Sequence, residues 1–368
     1  MNRESFLKTG ALAALGVVAV GCQSVEKKST QKAKKKADFA WKMVTTWPPN
    51  FPVVGEGCKL FADWVNEMSA GEMEIRVYGS GELIPALECF DAVSSGAAEM
   101  ASGASYYWSG KNEAFPFFTT IPFGMNAQQA NAWLIAGGGL ELWRESYERY
   151  NIIPFPAGNT GMQMAGWFNK EMNSIDDFKG LKMRIPGLGG AVVAKAGGTP
   201  VLSGGSEIYT NLERGVIDAI EWIGPYHDYI MGFHKIARYY YAPGWHETGS
   251  VLELMINKKA FENLPLHLQS IIEAAAYKFN VWCLSTFEAK NNEYLVKLIE
   301  EEQVEVRSFS PDILAGLRKY SEEVLETLGN KSKENKKIYA AYMDFMSGIR
   351  HWSGYSEKLY YNTISEKG

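Results

Sequence analysis

The 368-residue sequence predicts an α/β protein with two lobes, and three observations support this fold class. Strand-like and helix-like patterns alternate over residues 39–102, and a second alternating series runs over residues 163–222. Alternation of this kind builds parallel sheets flanked by helices. The chain is also longer than the roughly 300 residues at which single hydrophobic cores stop growing. We therefore expect two lobes with a cleft between them.

The elements of each series follow from apolar periodicity. The first series contains a strand, a helix, a strand, a helix and a strand, at residues 39–45, 53–69, 73–78, 82–95 and 98–102. The second follows a turn expected at FPAGN (155–159) and contains two strands, two helices and a strand, at residues 163–169, 181–186, 189–196, 203–215 and 218–222.

The remaining chain is mainly helical in its pattern. VLELMIN (251–257) is predicted to be a strand that crosses between the lobes. Pro265 begins a segment that runs to about Glu302 without internal Pro or Gly. Roughly 37 helical residues at about 1.5 Å each span about 55 Å, which is enough to brace both lobes. Two further helices are predicted after Pro311, separated near residues 329–335.

These elements suggest residue limits for the lobes. The first lobe is expected to comprise residues 38–160 and 246–262, and the second residues 161–245 and 263–330. Residues 331–368 form a predicted C-terminal helical tail. Its apolar face needs a surface to pack against.

The N-terminus has the pattern of an export signal, predicted to span residues 1–22. An apolar stretch over residues 11–20 follows two basic residues and is too short to cross a bilayer, which takes about 20 residues. The end at Cys22 resembles a lipobox, so lipidation of this cysteine and simple cleavage nearby are both open. Residues 3–8 resemble a twin-arginine motif whose second Arg is Glu. Residues 23–37 read as a basic linker.

The charge distribution argues against nucleic acid as a partner. The formal net charge is −5, from 37 basic and 42 acidic residues. Residues 1–37 contain eight of the basic and two of the acidic residues, which leaves 29 against 40, a net of −11, for the body. A nucleic-acid surface needs a concentrated basic face. Any anion bound by this body must be held by local groups.

Motifs of common enzymes are missing from the sequence. There is no G-x-S-x-G, no P-loop and no H-E-x-x-H, and His246-Glu247 lacks the second histidine of a zinc motif. Val192 occupies the position of the third glycine of a dinucleotide fingerprint. The cysteines beyond Cys22 are three scattered residues that suggest neither a disulfide framework nor a zinc site. The sequence therefore favours a binding protein over an enzyme.

Arg184 is the strongest candidate for an anion contact. It ends the predicted strand LKMRIP, directly before a glycine-rich helix start, and ligands of open α/β sheets bind beyond the carboxyl ends of strands. A guanidinium at this place can hold a carboxylate by two parallel hydrogen bonds. A surface arginine paired to Asp176 or Asp177 is an equal alternative on these residues alone.

Glu221 ends the apolar strand DAIEW, where an acid is costly unless it is paired or binds a metal ion. With Arg184 and a monocarboxylate in the same cleft, one negative charge remains, and a cation would balance it. The Gln163 amide oxygen and the Trp222 carbonyl suit a hard cation. The alternative for Gln163 is a buried amide bonded to the backbone. Tyr107 belongs to an aromatic cluster that serves either packing or the pocket wall.

Four passages resemble the solute-binding subunits of TRAP transporters, in the branch that captures 2-oxo acids with a metal ion. They are GNTGMQMAGWF, LKMRIPGLGGAVVAKAGGTP, LERGVIDAIEWIGP and YYYAPGWHE, at residues 158–168, 181–200, 212–225 and 239–247. The resemblance implies a two-lobed periplasmic binding protein fold and no enzymatic activity. It also implies that Arg184 clamps the carboxylate and that Gln163, Glu221 and the Trp222 carbonyl hold Na+, with Ca2+ as the alternative. Asn159 and Tyr107 complete the expected ligand-binding set.

The resemblance further implies a periplasmic or cell-surface receptor that delivers a small monocarboxylate to membrane permease subunits. The acid is expected to be a 2-oxo acid such as pyruvate or a 2-hydroxy acid such as lactate. A homodimer formed through the C-terminal helix and a lipid tether at Cys22 are also expected. A metal-assisted enzyme and a ligand-presenting sensor subunit are the alternatives.

Overall fold

The computed structural model describes residues 37–364 and contains two mixed sheets surrounded by helices. Sheet 1 has the strand order β2-β1-β3-β10-β4, and sheet 2 has the order β11-β9-β5-β8-β6-β7. The strands are β1 Phe39–Thr45, β2 Met73–Tyr78, β3 Met100–Gly103, β4 Ile152–Asn159, β5 Gly166–Phe168, β6 Lys182–Arg184, β7 Thr199–Val201, β8 Ala219–Ile220, β9 Tyr239–Ala242, β10 Val251–Asn257 and β11 Glu305–Ser308. This confirms the predicted fold class.

Helices make up the rest of the regular structure in the described part of the chain. They are α1 Val54–Met68, α2 Cys89–Ser95, α3 Ala127–Ala136, α4 Gly139–Glu148, α5 Gly187–Lys195, α6 Gly205–Glu213, α7 Pro225–Ile230, α8 Lys258–Glu262, α9 Leu266–Glu300, α10 Pro311–Gly329, α11 Lys333–Ser353 and α12 Glu357–Thr363. The helix predicted from residue 82 begins only at Cys89, after a short 3-10 turn. No helix between residues 37 and 364 combines the length and apolarity needed to span a membrane.

Each sheet is the centre of one lobe, and we call the lobes built on sheet 1 and sheet 2 the first and second lobe. In sheet 1, β1 pairs in parallel with β2 and β3, and β10 pairs antiparallel with β3 and β4. In sheet 2, β6 lies parallel between β7 and β8. The residue limits predicted for the lobes stay a prediction.

The expectation of a turn at FPAGN is wrong, because these residues belong to strand β4. β4 lies at the edge of sheet 1, where a missing backbone N–H is tolerated. Pro154 and Pro156 therefore pair with Met255 and Glu253 of β10 without breaking the sheet. The Pro and Gly content that suggested a turn instead marks an edge strand.

Helix α9 is the predicted long helix, and its 35 residues pack against elements of both lobes. Its partners include β4 and α1 of the first lobe and α7 of the second. Close packing against α1 depends on a glycine. A Cβ atom on Gly57 would lie 2.1 Å from a ring carbon of Phe279.

The C-terminal helices pack on the chain itself. Helix α10 contacts α5, and α11 contacts α3 and α4. The apolar residues Ile338, Tyr342 and Met346 of α11 are buried in the core of the first lobe. The apolar face of the tail therefore has a packing surface within the same chain. The predicted signal segment and most of the basic linker lie outside the described residues.

We expect Gly57→Ala to destabilise the protein, because the added methyl must displace Phe279 at the junction of α1 and α9. Overpacking of this kind costs about 1–3 kcal/mol in the free energy of unfolding, which denaturant titration measures. Gly348→Ala in α11 is the matched control, since nothing lies within 4 Å of its added Cβ. Replacing an exposed helical Gly by Ala stabilises a helix by up to about 1 kcal/mol. Equal stability of the two variants would contradict the proposed packing.

Candidate ligand and metal site between the lobes

Arg184 and Glu221 form a buried ion pair at adjacent strand ends. β6 and β8 are parallel neighbours, with Arg184 opposite Ile220, so the following residue Glu221 lies beside the guanidinium. Arg184 Nη1 donates to the Glu221 carboxylate at 2.5 Å and to the Glu221 carbonyl at 2.8 Å. Both side chains are at most 1% exposed. The structure therefore brings these two candidate residues into direct contact.

The alternative of a surface arginine does not describe Arg184. Asp176 instead pairs with Lys179 at 2.8 Å, and Asp177 accepts hydrogen bonds from the backbone of Asn173 and Ser174. Arg184 Nε is buried and has no hydrogen-bond partner among residues 37–364, while Nη2 has only a 3.5 Å contact with the Ser203 carbonyl. The guanidinium thus has donors to spare for a further acceptor.

Glu221 also contacts a histidine. His246 Nε2 lies 3.1 Å from Glu221 Oε2, and both side chains are fully buried. Burial raises the pKa of Glu221 to about 7, although the neighbouring Arg184 guanidinium opposes this shift. Burial lowers the pKa of His246 to about 4. Burial thus disfavours the ionised form of Glu221, and further positive charge beside its carboxylate would favour that form.

Gln163 presents an unsatisfied oxygen to the same region. Its Nε2 donates to Glu247 at 2.7 Å and to Thr160 Oγ1 at 3.1 Å. Its Oε1 is buried and has no hydrogen-bond partner in the described part of the chain. The amide is therefore held by side chains, and the backbone-bonded alternative does not describe it. A buried amide oxygen without a donor among the described residues is available to coordinate a cation.

Glu247 is the site residue that the sequence reasoning missed. In the sequence it stands out only beside His246, as part of an incomplete zinc motif. Its carboxylate is buried and accepts hydrogen bonds from Gln163 and from Ser250 Oγ. Burial and the nearby Glu221 raise the pKa of Glu247 to about 7. Ligand atoms of Glu221, His246 and Glu247 lie within 4.8 Å of one another.

Trp222 and Tyr107 lie beside this cluster. The Trp222 ring covers the Arg184 guanidinium, with 5.1 Å from Arg184 Cζ to the ring centroid. Burial raises the pKa of Tyr107, with opposing influence from Arg184 and further increases from Glu247 and Glu221. Tyr107 of the first lobe is thus near enough to these charged groups for them to influence its pKa.

The Asn159 side chain bonds to backbone groups near the end of β4. Its Oδ1 accepts a hydrogen bond from the Gly161 N–H at 2.9 Å, and its Nδ2 lies 3.5 Å from the Gly249 carbonyl. The side chain therefore stabilises the turn that leaves β4 toward Gln163. Its carboxamide is occupied there, and its place in the ligand-binding set stays a prediction.

The glycine-rich start of α5 serves close packing. A Cβ atom on Gly189 would lie 2.9 Å from the His246 Cβ, and one on Gly187 would lie 3.2 Å from the Tyr106 ring. Gly187 also has a positive φ of 59°. These glycines bring the second-lobe helix against both the His246 turn and the tyrosines of the first lobe. The glycines of residues 187–190, which do not form a dinucleotide fingerprint, therefore allow the close packing of α5 around this site.

The residues present fit a hard cation. Glu221 and Glu247 carry up to two negative charges against one positive charge of Arg184, all in a buried region. Oxygen is available from the Glu221 carboxylate and from Gln163 Oε1, which has no other partner among residues 37–364. Such oxygen donors suit Na+ or Ca2+ better than soft metals.

This chain is similar to known proteins in sequence and in fold. The model of the family of bacterial extracellular solute-binding proteins, family 7, matches residues 43–332. A monocarboxylate 2-oxoacid-binding periplasmic protein of Nostoc sp. is 39% identical over 99% of both chains.

Two solved structures of TRAP periplasmic solute-binding proteins are also similar. The protein of Pseudoalteromonas atlantica, with bound sodium and pyruvate, is 42% identical with a TM-score of 0.87. The protein of Colwellia psychrerythraea, with bound calcium and pyruvate, is 44% identical with a TM-score of 0.86. Each comparison covers 90% of this chain and 100% of the other.

The family match covers most of the chain, and the relatives align along nearly their whole length. These proteins are binding proteins of periplasmic type and not enzymes, which confirms the expectation of a non-enzymatic receptor. The chain belongs to the family 7 extracellular solute-binding proteins, the solute-binding subunits of TRAP transporters.

Proposed function

We propose that this receptor binds a small 2-oxo monocarboxylate such as pyruvate together with a cation and delivers the acid to membrane permease subunits. The buried Arg184–Glu221 pair at adjacent strand ends of sheet 2 is the observation that carries the proposal. The names and bound ligands of the similar proteins from Nostoc, Pseudoalteromonas and Colwellia support it.

Arg184 is the proposed carboxylate contact. Its Nε and Nη2 atoms have little or no hydrogen bonding to residues 37–364, and both belong to the side of the guanidinium that can grip a carboxylate with two N–H groups. The ring of Trp222 shields the pair from solvent. A micromolar dissociation constant corresponds to a binding free energy of about −8 kcal/mol. One charge-assisted carboxylate–guanidinium pair in a cleft without water, together with a shared cation, is consistent with that value.

Glu221, Gln163 and the Trp222 carbonyl are the proposed cation ligands. The cation supplies positive charge that lets both Glu221 and an anionic ligand occupy the cleft. Glu247 binds the Gln163 amide N–H, which leaves the amide oxygen to face the ion. The charges of Glu221, Glu247, Arg184 and a monocarboxylate sum to −2. Ca2+ balances this sum, whereas Na+ balances it when Glu247 retains a proton.

Two finer proposals concern assembly and location. Helix α12 exposes Leu359, Tyr360 and Tyr361, with Trp352 exposed at the end of α11. We propose that this apolar end of the chain contacts a second copy in a homodimer. We also propose that Cys22, outside the described residues, carries a lipid that tethers the receptor to the membrane surface.

Arg184→Lys should weaken pyruvate binding at least tenfold in isothermal titration calorimetry at saturating Ca2+. Lysine keeps the positive charge but loses the two-pronged geometry. The control is Arg307→Lys, an arginine of the second lobe whose partners are Glu171 and Glu305. Wild-type affinity of the Arg184 variant for pyruvate, lactate and longer 2-oxo acids would refute the carboxylate contact.

Glu221→Gln should abolish copurified metal, because the variant loses the main anionic ligand of the ion. Metal content per chain by inductively coupled plasma mass spectrometry is the measurement. Glu253→Gln is the matched control. Glu253 is equally buried, but it accepts hydrogen bonds from Trp108 and Tyr147 in the first lobe. Full metal occupancy in the Glu221 variant would show that the ion binds elsewhere.

Glu247→Gln should change the choice of ion. Removal of its negative charge leaves the site balanced by Na+ plus pyruvate, so we expect Ca2+ affinity to fall at least tenfold while Na+-supported pyruvate binding persists. Calorimetric titrations of the metal-depleted variant measure its affinity for Ca2+, and pyruvate titrations in Na+ measure the Na+-supported binding. A parallel loss of both ions would mean that Glu247 only supports the fold of the site.

A further inference from the structure

His227 makes two hydrogen bonds that connect the lobes. It lies on α7 of the second lobe and is fully buried. Its Nδ1 lies 3.2 Å from Trp222 Nε1, and its Nε2 lies 2.9 Å from the carbonyl oxygen of Pro52. An indole N–H can only donate, so Nδ1 accepts and the ring proton resides on Nε2, which donates to Pro52. Burial lowers the pKa of His227 to about 3, so the ring is neutral.

The Pro52 carbonyl belongs to a strained turn of the first lobe. Val53 has φ 60° and ψ −65°, and the Val54 N–H donates to the Pro52 carbonyl at 2.7 Å. This is a γ-turn of the rare type with positive φ. A β-branched residue in this conformation is strained, and such strain is found where surrounding contacts maintain it. In this turn the Pro52 carbonyl accepts hydrogen bonds both from the Val54 N–H and from His227 of the second lobe.

Aromatic contacts reinforce the same junction. The Phe51 ring lies edge-on to His227, with 4.5 Å between centroids, and to Trp222, with 6.2 Å. Trp222 in turn covers the Arg184 guanidinium. An uninterrupted series of contacts therefore runs from the turn before α1, through His227 and Trp222, to the proposed carboxylate contact. Neither His227 nor Pro52 is a proposed ligand contact, whereas Trp222 is one through its backbone carbonyl.

We propose that His227 is a positioning residue that holds the closed lobes together and fixes Trp222 over Arg184. Its effect on ligand binding rests on the proposed function, whereas its effect on lobe closure does not. The two bonds form only when the turn before α1 and the segment after β8 are close together. Their loss should therefore act on the closed complex and on its rate of opening.

The test compares His227→Phe with His234→Phe. Phenylalanine keeps a ring at position 227 but cannot make either hydrogen bond. His234 is a control because it lies in the second lobe, stacks on Tyr229 and has no hydrogen bond from its ring nitrogens to residues 37–364. Stopped-flow measurement with pyruvate and Ca2+ should show a dissociation rate at least tenfold higher in His227→Phe. Its association rate should change less than about twofold, and His234→Phe should match wild type.

A second readout separates positioning from a purely structural role. Small-angle X-ray scattering of the ligand-free proteins should give a larger radius of gyration for His227→Phe than for wild type, with a similar melting temperature. His227→Gln, which can still donate to the Pro52 carbonyl, should recover part of the closure. An unchanged dissociation rate and radius of gyration would overturn the proposal, as would a loss of closure fully explained by a lower melting temperature. If wild-type protein binds no 2-oxo acid, the proposed function fails, and the scattering comparison still decides the role of His227.

Discussion

The burial of two carboxylates beside a single guanidinium is the constraint on which the site depends. Glu221 and Glu247 are both inaccessible to solvent, and Arg184 is the arginine that contacts this cluster. Desolvation of a charged pair is expensive, and an uncompensated buried charge is more so. The cluster is therefore electrostatically incomplete without further positive charge. The pKa values of Glu221 and Glu247 are both raised, which is consistent with an excess of buried negative charge. We propose that a cation relieves this imbalance and lets an anionic ligand bind beside Arg184, so that the binding of the ion and the binding of the acid are coupled.

The fold places these charges by backbone geometry. β6 and β8 are adjacent parallel strands that end side by side, so the side chains of Arg184 and Glu221 are in direct contact. The turn that carries Glu247 approaches Gln163 closely because residue 244 is glycine. A Cβ atom at Gly244 would lie 2.2 Å from the Gln163 carbonyl oxygen, a distance that no side chain tolerates. The position of the unsatisfied amide oxygen is thus fixed by one glycine, one glutamate and one threonine.

Much of the architecture was predictable from local sequence signals, and some of the site was too. The strands that end at Arg184 and just before Glu221 have short apolar patterns, and α9 has an unbroken helical pattern that follows Pro265. β4 was missed because its prolines suggest a turn, and only its edge position in the sheet makes them acceptable. Glu247 was missed because its role comes from contact with Gln163, 84 residues away in the chain, which no local spacing reveals. The hydrogen bond from the Gly161 N–H to Asn159 Oδ1 also depends on the folded turn, and the predicted ligand contact of Asn159 stays a prediction.

Thermodynamic coupling between the cation and the acid tests the central claim most directly. In metal-depleted wild-type protein, the dissociation constant for pyruvate should fall at least tenfold as Ca2+ is titrated in, and pyruvate should strengthen Ca2+ binding by the same factor, because coupling is reciprocal. Pyruvate affinity that is independent of Ca2+ and Na+ over the whole titration would contradict the shared site.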